Sequence, residues 1–408
     1  MISHNVNSQP VHDMILFPYC SKCKAKKNLC GLGYCPIIKN IGEYIGNFQL
    51  SAGDVDTQTP PGVFIGEYNY PGVYAGPMAV LDINKPFFSE KLYGKSMDEL
   101  LKLNANRYRT SKTVRVNILD SPFIIELQEA AMATNNVEMN FRNEKFIKKD
   151  AGRESFETPV GPMAIVSSLK ILENPKIPTK VDYMREDIHL KSRPAMVKLY
   201  ESGYDISYIQ GILSAGVLGV KKNRKLVPTR WSITAVDETL NEHLKDQIGN
   251  FPQLNEILMF SGEYLGNRFQ ILLIPGPYSF EMFEKWGSGS VWGEGDVAHE
   301  WEWINGRKEY ADEIAGAYYA ARLSATEYLH KIRKQASIVV LRRIGGEYHS
   351  PMGVWVIRET VRNILNGTGS KYTDRELLCR ENRFIIENWV SLSKIWQLTL
   401  TQKYLWQF

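Results

Sequence analysis

Four of the five cysteines, Cys20, Cys23, Cys30 and Cys35, fall within sixteen residues, separated by two, six and four others, while Cys379 stands apart. A Cys-x2-Cys pair turns two thiolates to the same side, and two more complete the tetrahedral coordination that Zn²⁺ takes, so the spacing points to a zinc knuckle. Cys35 precedes Pro36, a pairing also met at iron–sulfur clusters, which stands as the alternative. Clustered thiols that hold a metal belong to a reducing compartment, and the expected setting is cytoplasmic. Residues 14–40 hold five lysines and no Asp or Glu; with four metal-bound thiolates and the ion included, the module keeps a charge of +3. Lys22, Lys24, Lys26 and Lys27 are therefore candidate phosphate contacts, with a structural clip and solvated lysines as the competing reading.

A second basic segment sets Lys221, Lys222, Arg224, Lys225 and Arg230 beside Trp231. Cations that track phosphates next to a ring that stacks on a base suit single-stranded or distorted nucleic acid, and an exposed basic loop is the alternative. Residues 281–313 are the opposite, with nine acids against three cations. Within them Glu294, Asp296, His299 and Glu300 are candidates for a Mg²⁺ or Mn²⁺ site of nuclease type, with a solvated acidic loop as the competing explanation. Gly94-Lys95-Ser96 looks like the end of a Walker A loop, but Ser89 stands where its first Gly belongs, and dinucleotide, zincin and nucleophile-elbow fingerprints do not occur. Whether the protein is an enzyme stays open on these residues.

The chain ends in QKYLWQF. Gln402, Leu405 and Phe408 are spaced by three and stack on one face of a 3₁₀ turn. This end resembles the PCNA-interacting motif, with Trp406 in place of the missing second aromatic; packing on the protein's own core is the alternative. The four-cysteine knuckle and this terminus together resemble the archaeal Nre family of DNA repair proteins. Residues 60–66 (PPGVFIG), 227–234 (VPTRWSIT) and 342–348 (RRIGGEY) also look like that family. The resemblance implies a cytoplasmic DNA repair factor with Cys20, Cys23, Cys30 and Cys35 as zinc ligands and with Gln402, Leu405 and Phe408 as contacts to the PCNA sliding clamp. It assigns no catalytic residue. A nucleic-acid-processing enzyme and an RNA-binding zinc protein are the rival readings.

These candidates need elements to position them. With 408 residues, 44% hydrophobic and 23% charged, the chain can bury a sizeable core, and a net charge of +4 excludes a globally basic DNA coat. No run approaches the ~20 apolar residues of a membrane span, and no signal peptide opens the chain, so no membrane partner is expected. Helices are expected over 88–107, 122–134 and 310–333, from Pro194, and over 352–365; residues 231–236 have strand character, and Asp237 then reads as a helix N-cap. Residues 255–274 read as a hairpin about Leu265–Gly266, and 338–344 as a buried strand. GPMAV at 76–80 recurs as GPMAI at 161–165, two similar entries into strands. Helices and strands without regular alternation predict an α+β fold with a small N-terminal zinc knuckle. The expected divisions are a metal module at 1–40, family regions at 41–290 and 291–400 (the second mostly helical), and a clamp-binding tail at 401–408.

Overall fold

Among the described residues, β-branched and aromatic segments pair into two six-stranded mixed sheets accompanied by eleven helices, an α+β architecture. The computed structural model describes residues 20–23, 29–32, 35, 52–85, 91–147, 163–382, 389 and 392–405. The first sheet holds β1 (Gly53–Thr59), β2 (Val63–Ile65), β3 (Gly72–Val80), β4 (Arg107–Arg115), β5 (Val137–Ile147) and β6 (Met163–Ile171) in the order β1-β5-β6-β4-β3-β2. The second holds β7 (Ile257–Tyr264), β8 (Asn267–Ile274), β9 (Ser279–Trp286), β10 (Ala298–Glu302), β11 (Ser337–Ile344) and β12 (Ser370–Tyr372) in the order β10-β9-β11-β8-β7-β12. Neighbours are antiparallel apart from β4–β6 and β9–β11. Met78 and Met163, one from each GPMA segment, both face Arg109 of β4, so the echo marks two neighbours of one strand.

Outside the sheets lie α1 (Cys20–Cys23), α2 (Met97–Ala105), α3 (Pro122–Met132), α4 (Thr179–Glu186), α5 (Ser192–Glu201) and α6 (Ile206–Ser214). They are followed by α7 (Thr229–Ile248), α8 (Gly316–Ile332), α9 (Trp355–Leu365), α10 (Arg375–Glu381) and α11 (Lys394–Leu405). Ser96 and Glu99 form a capping box that starts α2 nine residues later than the periodicity predicts. The stretch after Pro194 is two helices, and the helix expected from Tyr310 begins at Gly316.

The first core packs β3, β5 and β6 against α3, α6 and α7. In the second sheet, alternate residues of β11 serve two cores. Ile338 and Val340 meet α8 and α9, while Val339 and Leu341 meet Leu378, Ile395 and Trp396 on the other face. Burial on both faces explains why β11 is a continuous apolar run. The expected division at 290 falls between β9 and β10 of this one sheet.

α7 joins the two halves. Ser232, Val236, Leu240, Leu244 and Ile248 form a buried stripe at a spacing of four; Val236, Leu240 and Leu244 lie in the first core and Ile248 in the second. This corrects the strand expected at 231–236. The β-branched residues there favour a strand locally, but the apolar stripe at helical period extends over the whole of α7, and each fully buried aliphatic side chain contributes about 1.5–3 kcal/mol. Asp237 is no N-cap; it sits buried mid-helix, and Arg358 Nη2 of α9 donates to both its carboxylate oxygens at 2.7 and 2.6 Å.

Candidate nucleic-acid interface

After α6 the chain passes through a single 3₁₀ turn, Lys221–Asn223, and enters α7 behind Pro228. Lys221, Lys222 and Lys225 are exposed on this connection. Arg224 turns inward instead. Its Nε donates to Gly219 O at 2.6 Å, Nη1 to Arg185 O at 2.6 Å, and Nη2 to Met184 O at 3.2 Å and Asp187 O at 2.7 Å. A guanidinium closing the C-terminal carbonyls of α4 is a structural clamp, which removes Arg224 from the expected phosphate contacts. Burial pushes it below its ordinary range, against the raising influence of Glu186 and Asp187.

Trp231, on the first turn of α7, is 45% exposed and tilts against Tyr70, ring centroids 5.2 Å apart. Its Nε1 donates to Glu67 at 3.1 Å, and Arg230 Nη1 donates to the other oxygen of Glu67 at 2.9 Å. Lys225 Nζ lies 3.2 Å from the Tyr70 hydroxyl, to which it donates, and 5.8 Å from the centre of that ring. Two exposed aromatic side chains with a lysine against them form a platform of the kind that stacks unpaired bases. Tyr70 escaped the sequence reading because it lies more than 150 residues away in the β2–β3 turn; the tyrosines of that Pro- and Gly-rich stretch were its only signal.

Arg230 also lines a cleft of about 750 Å³ between the two sheet units. One wall comes from β2, β3 and β4, with Phe64 beneath the Arg109 guanidinium at 4.1 Å. The other comes from α6, α7, α8 and α9 and includes Arg358 and Arg362. The starts of α8 and α9 are close: a Cβ on Gly316 would lie 2.9 Å from Val354 Cγ1. Burial works against the charge of Arg362, but Glu327 and Glu359 outweigh it and hold the group above its ordinary range. Arg109, Arg358 and Arg362 carried no motif; only the fold assembles them.

At the N-terminus α1 carries Cys20 and Cys23. Cys23 is buried, Cys20 and Cys35 pack against the second core, and none of the four clustered cysteines is in a disulfide. Four thiol donors, one of them buried, suit Zn²⁺ by softness and number. Among the described residues no three His, Cys, Asp or Glu side chains are grouped to hold a metal. α1 docks on the Gly-rich loop after β9: a Cβ on Gly295 would lie 2.1 Å from Ser21 Oγ. The docking sets Lys22 Nζ 2.8 Å from Asp296, whose hydrogen bond and charge raise the lysine while the lysine lowers Asp296. A residue expected on DNA and one expected on a metal thus face each other. Lys24, Lys26 and Lys27 lie outside the described residues.

The other acidic candidates are not brought together. Glu294 is exposed, Glu300 pairs with Arg307 at 2.6 Å, and His299 stacks on Phe283 with Nε2 2.7 Å from Glu281. Glu281 is fully buried at the start of α11 and accepts from Ser393 Oγ at 2.5 Å, Lys394 N at 2.7 Å and Ile395 N at 3.1 Å. That arrangement is a helix cap. At the other end of α11, Gln402 and Leu405 occupy its last turn, an α-helical backbone where a 3₁₀ turn was expected; Trp406 and Phe408 lie outside the described residues. No helix of the described residues is long and apolar enough to cross a membrane.

A family model described as Archaeal Nre, N-terminal, matches residues 29–293, and one described as Archaeal Nre, C-terminal, matches 302–408. The chain is 36% identical over 350 residues to DNA repair protein NreA of Archaeoglobus fulgidus, covering 85% of this chain and 88% of that relative. It is 35% identical over 326 residues to DNA repair protein NreA of Haloferax volcanii, covering 75% and 77%. DNA repair protein NreB of Archaeoglobus fulgidus is 31% identical over 408 residues, covering 95% and 99%. No solved structure matches the chain.

Proposed function

This chain belongs to the archaeal Nre family, and on that premise we propose that it is a DNA repair factor that binds damaged or branched DNA and is recruited by the PCNA sliding clamp. The observation that carries the DNA part is the Tyr70–Trp231 platform with Lys225 against it, on the connection that also exposes Lys221 and Lys222. Damaged and branched DNA differ from regular duplex in offering unstacked bases, which aromatic faces take, while the lysines contact phosphates without reading sequence. In this reading Cys20, Cys23, Cys30 and Cys35 hold Zn²⁺, and the ion ties the N-terminal module into a compact unit beside the second sheet.

Recruitment rests on the end of α11. Glu281 caps the start of this helix, and Ile395 and Trp396 are buried against Val339 and Leu341 of β11, so the helix that carries Gln402 and Leu405 has an anchored base. Holding the protein at the clamp raises its local concentration on DNA, so a platform of modest affinity suffices.

The test uses the full chain and a variant ending at residue 401. Fluorescence anisotropy on branched, single-stranded and duplex DNA at several salt concentrations is expected to rank duplex weakest, with calorimetry giving clamp binding by the full chain alone. Equal clamp binding by both proteins would sink the recruitment, and displacement of the DNA by RNA at matched salt would transfer the interface to RNA.

A further inference from the structure

We propose that the cleft between the two sheet units is a pocket for a nucleoside monophosphate, presented free or as the 5′-phosphorylated end of a DNA strand. The inference goes beyond the DNA platform and does not depend on it. Among the described residues, five cationic side chains line the cleft, Lys91, Arg109, Arg230, Arg358 and Arg362, against the carboxylates of Asp205 and Glu359. The carboxylates that grip Arg230, Arg358 and Arg362 from behind, Glu67, Asp237 and Glu327, are not part of the lining. They orient the guanidiniums, Arg362 pairs as well with Glu359 of the lining, and among the described lining residues cations outnumber carboxylates.

Four helices begin at this cleft: Ile206, Thr229, Gly316 and Trp355 all line it, and none of the four helices has a side-chain cap. Backbone N–H groups at helix starts, with the positive end of the dipole behind them, take phosphate oxygens. An independent sign of a missing anion comes from Arg358. It is 3% exposed, its Nη2 is held by Asp237, and its Nε has no hydrogen-bond partner among the described residues. A buried charged donor left without an acceptor is costly, and Arg358 lines the cleft, where an oxyanion would meet its guanidinium.

Size and lining extend the ligand beyond phosphate alone. About 750 Å³ is far more than a phosphate fills and is ordinary for a small-molecule site. Phe64, Tyr93, Tyr310 and Trp355 add aromatic surface to the same walls. Cationic and aromatic side chains share these walls, as the Arg109 guanidinium over Phe64 does, and a phosphate joined to a base offers a partner to each kind.

Calorimetry of the full chain with deoxyadenosine monophosphate and with deoxyadenosine tests this, together with anisotropy on oligonucleotides bearing a 5′-phosphate or a 5′-hydroxyl. The oligonucleotide arm is run in a Lys221→Glu, Lys222→Glu, Lys225→Glu background, so a failed platform leaves the result intact. A phosphate-dependent gain of about tenfold or more is expected in at least one arm. A gain with the monophosphate alone assigns the free nucleotide, and a gain with the phosphorylated strand assigns the strand end. No gain in either arm overturns the proposal. Arg358→Gln is expected to abolish the gain. Because Arg358 also holds Asp237, Ser207→Glu with Asn363→Glu provides a second variant at exposed lining positions, expected to weaken phosphate binding about fivefold with an unchanged unfolding midpoint. Full phosphate-dependent binding by that double variant also overturns it.

Discussion

Residues 221–231 and 281–313 each concentrate one sign of charge; folding leaves the lysines of the first exposed but buries Glu281, Glu284 and Glu302 of the second, while Glu294, Asp296, Glu309, Asp312 and Glu313 stay exposed. In the basic segment Lys221, Lys222 and Lys225 stay exposed, and Trp231 joins Tyr70 at the surface. In the acidic segment the strand β9 carries Glu281 and Glu284 into opposite faces of a sheet that is buried on both sides. Glu281 caps α11 on one face, and Glu284 accepts from Arg342 at 2.5 Å and from Trp286 Nε1 at 2.7 Å on the other. Glu302 of β10 is likewise buried against Arg322 at 2.5 Å. A charge run therefore states nothing about its own availability. Lysine on a loop keeps its long stem and its water, whereas a carboxylate on a central strand is consumed by whichever donors the packing delivers.

The largest effect expected from this contrast is on stability. Glu281→Ala leaves the N–H groups of Lys394 and Ile395 and the Ser393 hydroxyl without their acceptor, and removing one member of such a buried charged network costs about 3–5 kcal/mol. Denaturant unfolding should show that loss, with DNA affinity of the folded fraction unchanged; a midpoint near that of the wild type would mean the acidic segment is as dispensable as a solvated loop.

Next come effects on binding without loss of fold. Trp231→Ala should weaken single-stranded DNA binding by about 1–3 kcal/mol, as loss of one stacked base does, read by anisotropy at fixed salt. Reversing Lys221, Lys222 and Lys225 to Glu should lower the salt dependence of single-strand affinity by roughly two units of logarithmic slope, since each lost phosphate contact removes about 0.7. An unaltered slope would place the contacts elsewhere and break the contrast. The smallest effect is expected where the two charge types meet. Lys22 and Asp296 pair at 2.8 Å in full exposure to solvent, and Asp296→Asn should leave the unfolding midpoint unchanged within error.

Much of the scaffold was legible along the chain. The helix begun by Pro122, the hairpin about Leu265–Gly266 and the strand through Ile338–Ile344 each follow from local pattern and turn chemistry, and the structure has all three. The start of α7 was not legible, because Trp231 to Val236 is locally strand-like and its helical period shows only when followed through to Ile248. The platform was half legible, since Lys225, Arg230 and Trp231 are adjacent while Tyr70 and Glu67 arrive from the β2–β3 turn. Arg224 misled: its chemistry is that of a phosphate contact, and only the nearby end of α4 turns it inward.

By itself the sequence determined the α+β class, the cysteine spacing that suits a tetrahedral metal, the terminal Gln-x-x-Leu pattern and the family. All are properties of residue types at short separations, which the chain carries into any fold. Tertiary structure alone decided which charges stay available, because burial and pairing depend on neighbours far along the chain. It also created the cleft, where Arg109, Arg230 and Arg358 converge from β4, α7 and α9, since a pocket made by packing two sheet units has no counterpart in local sequence.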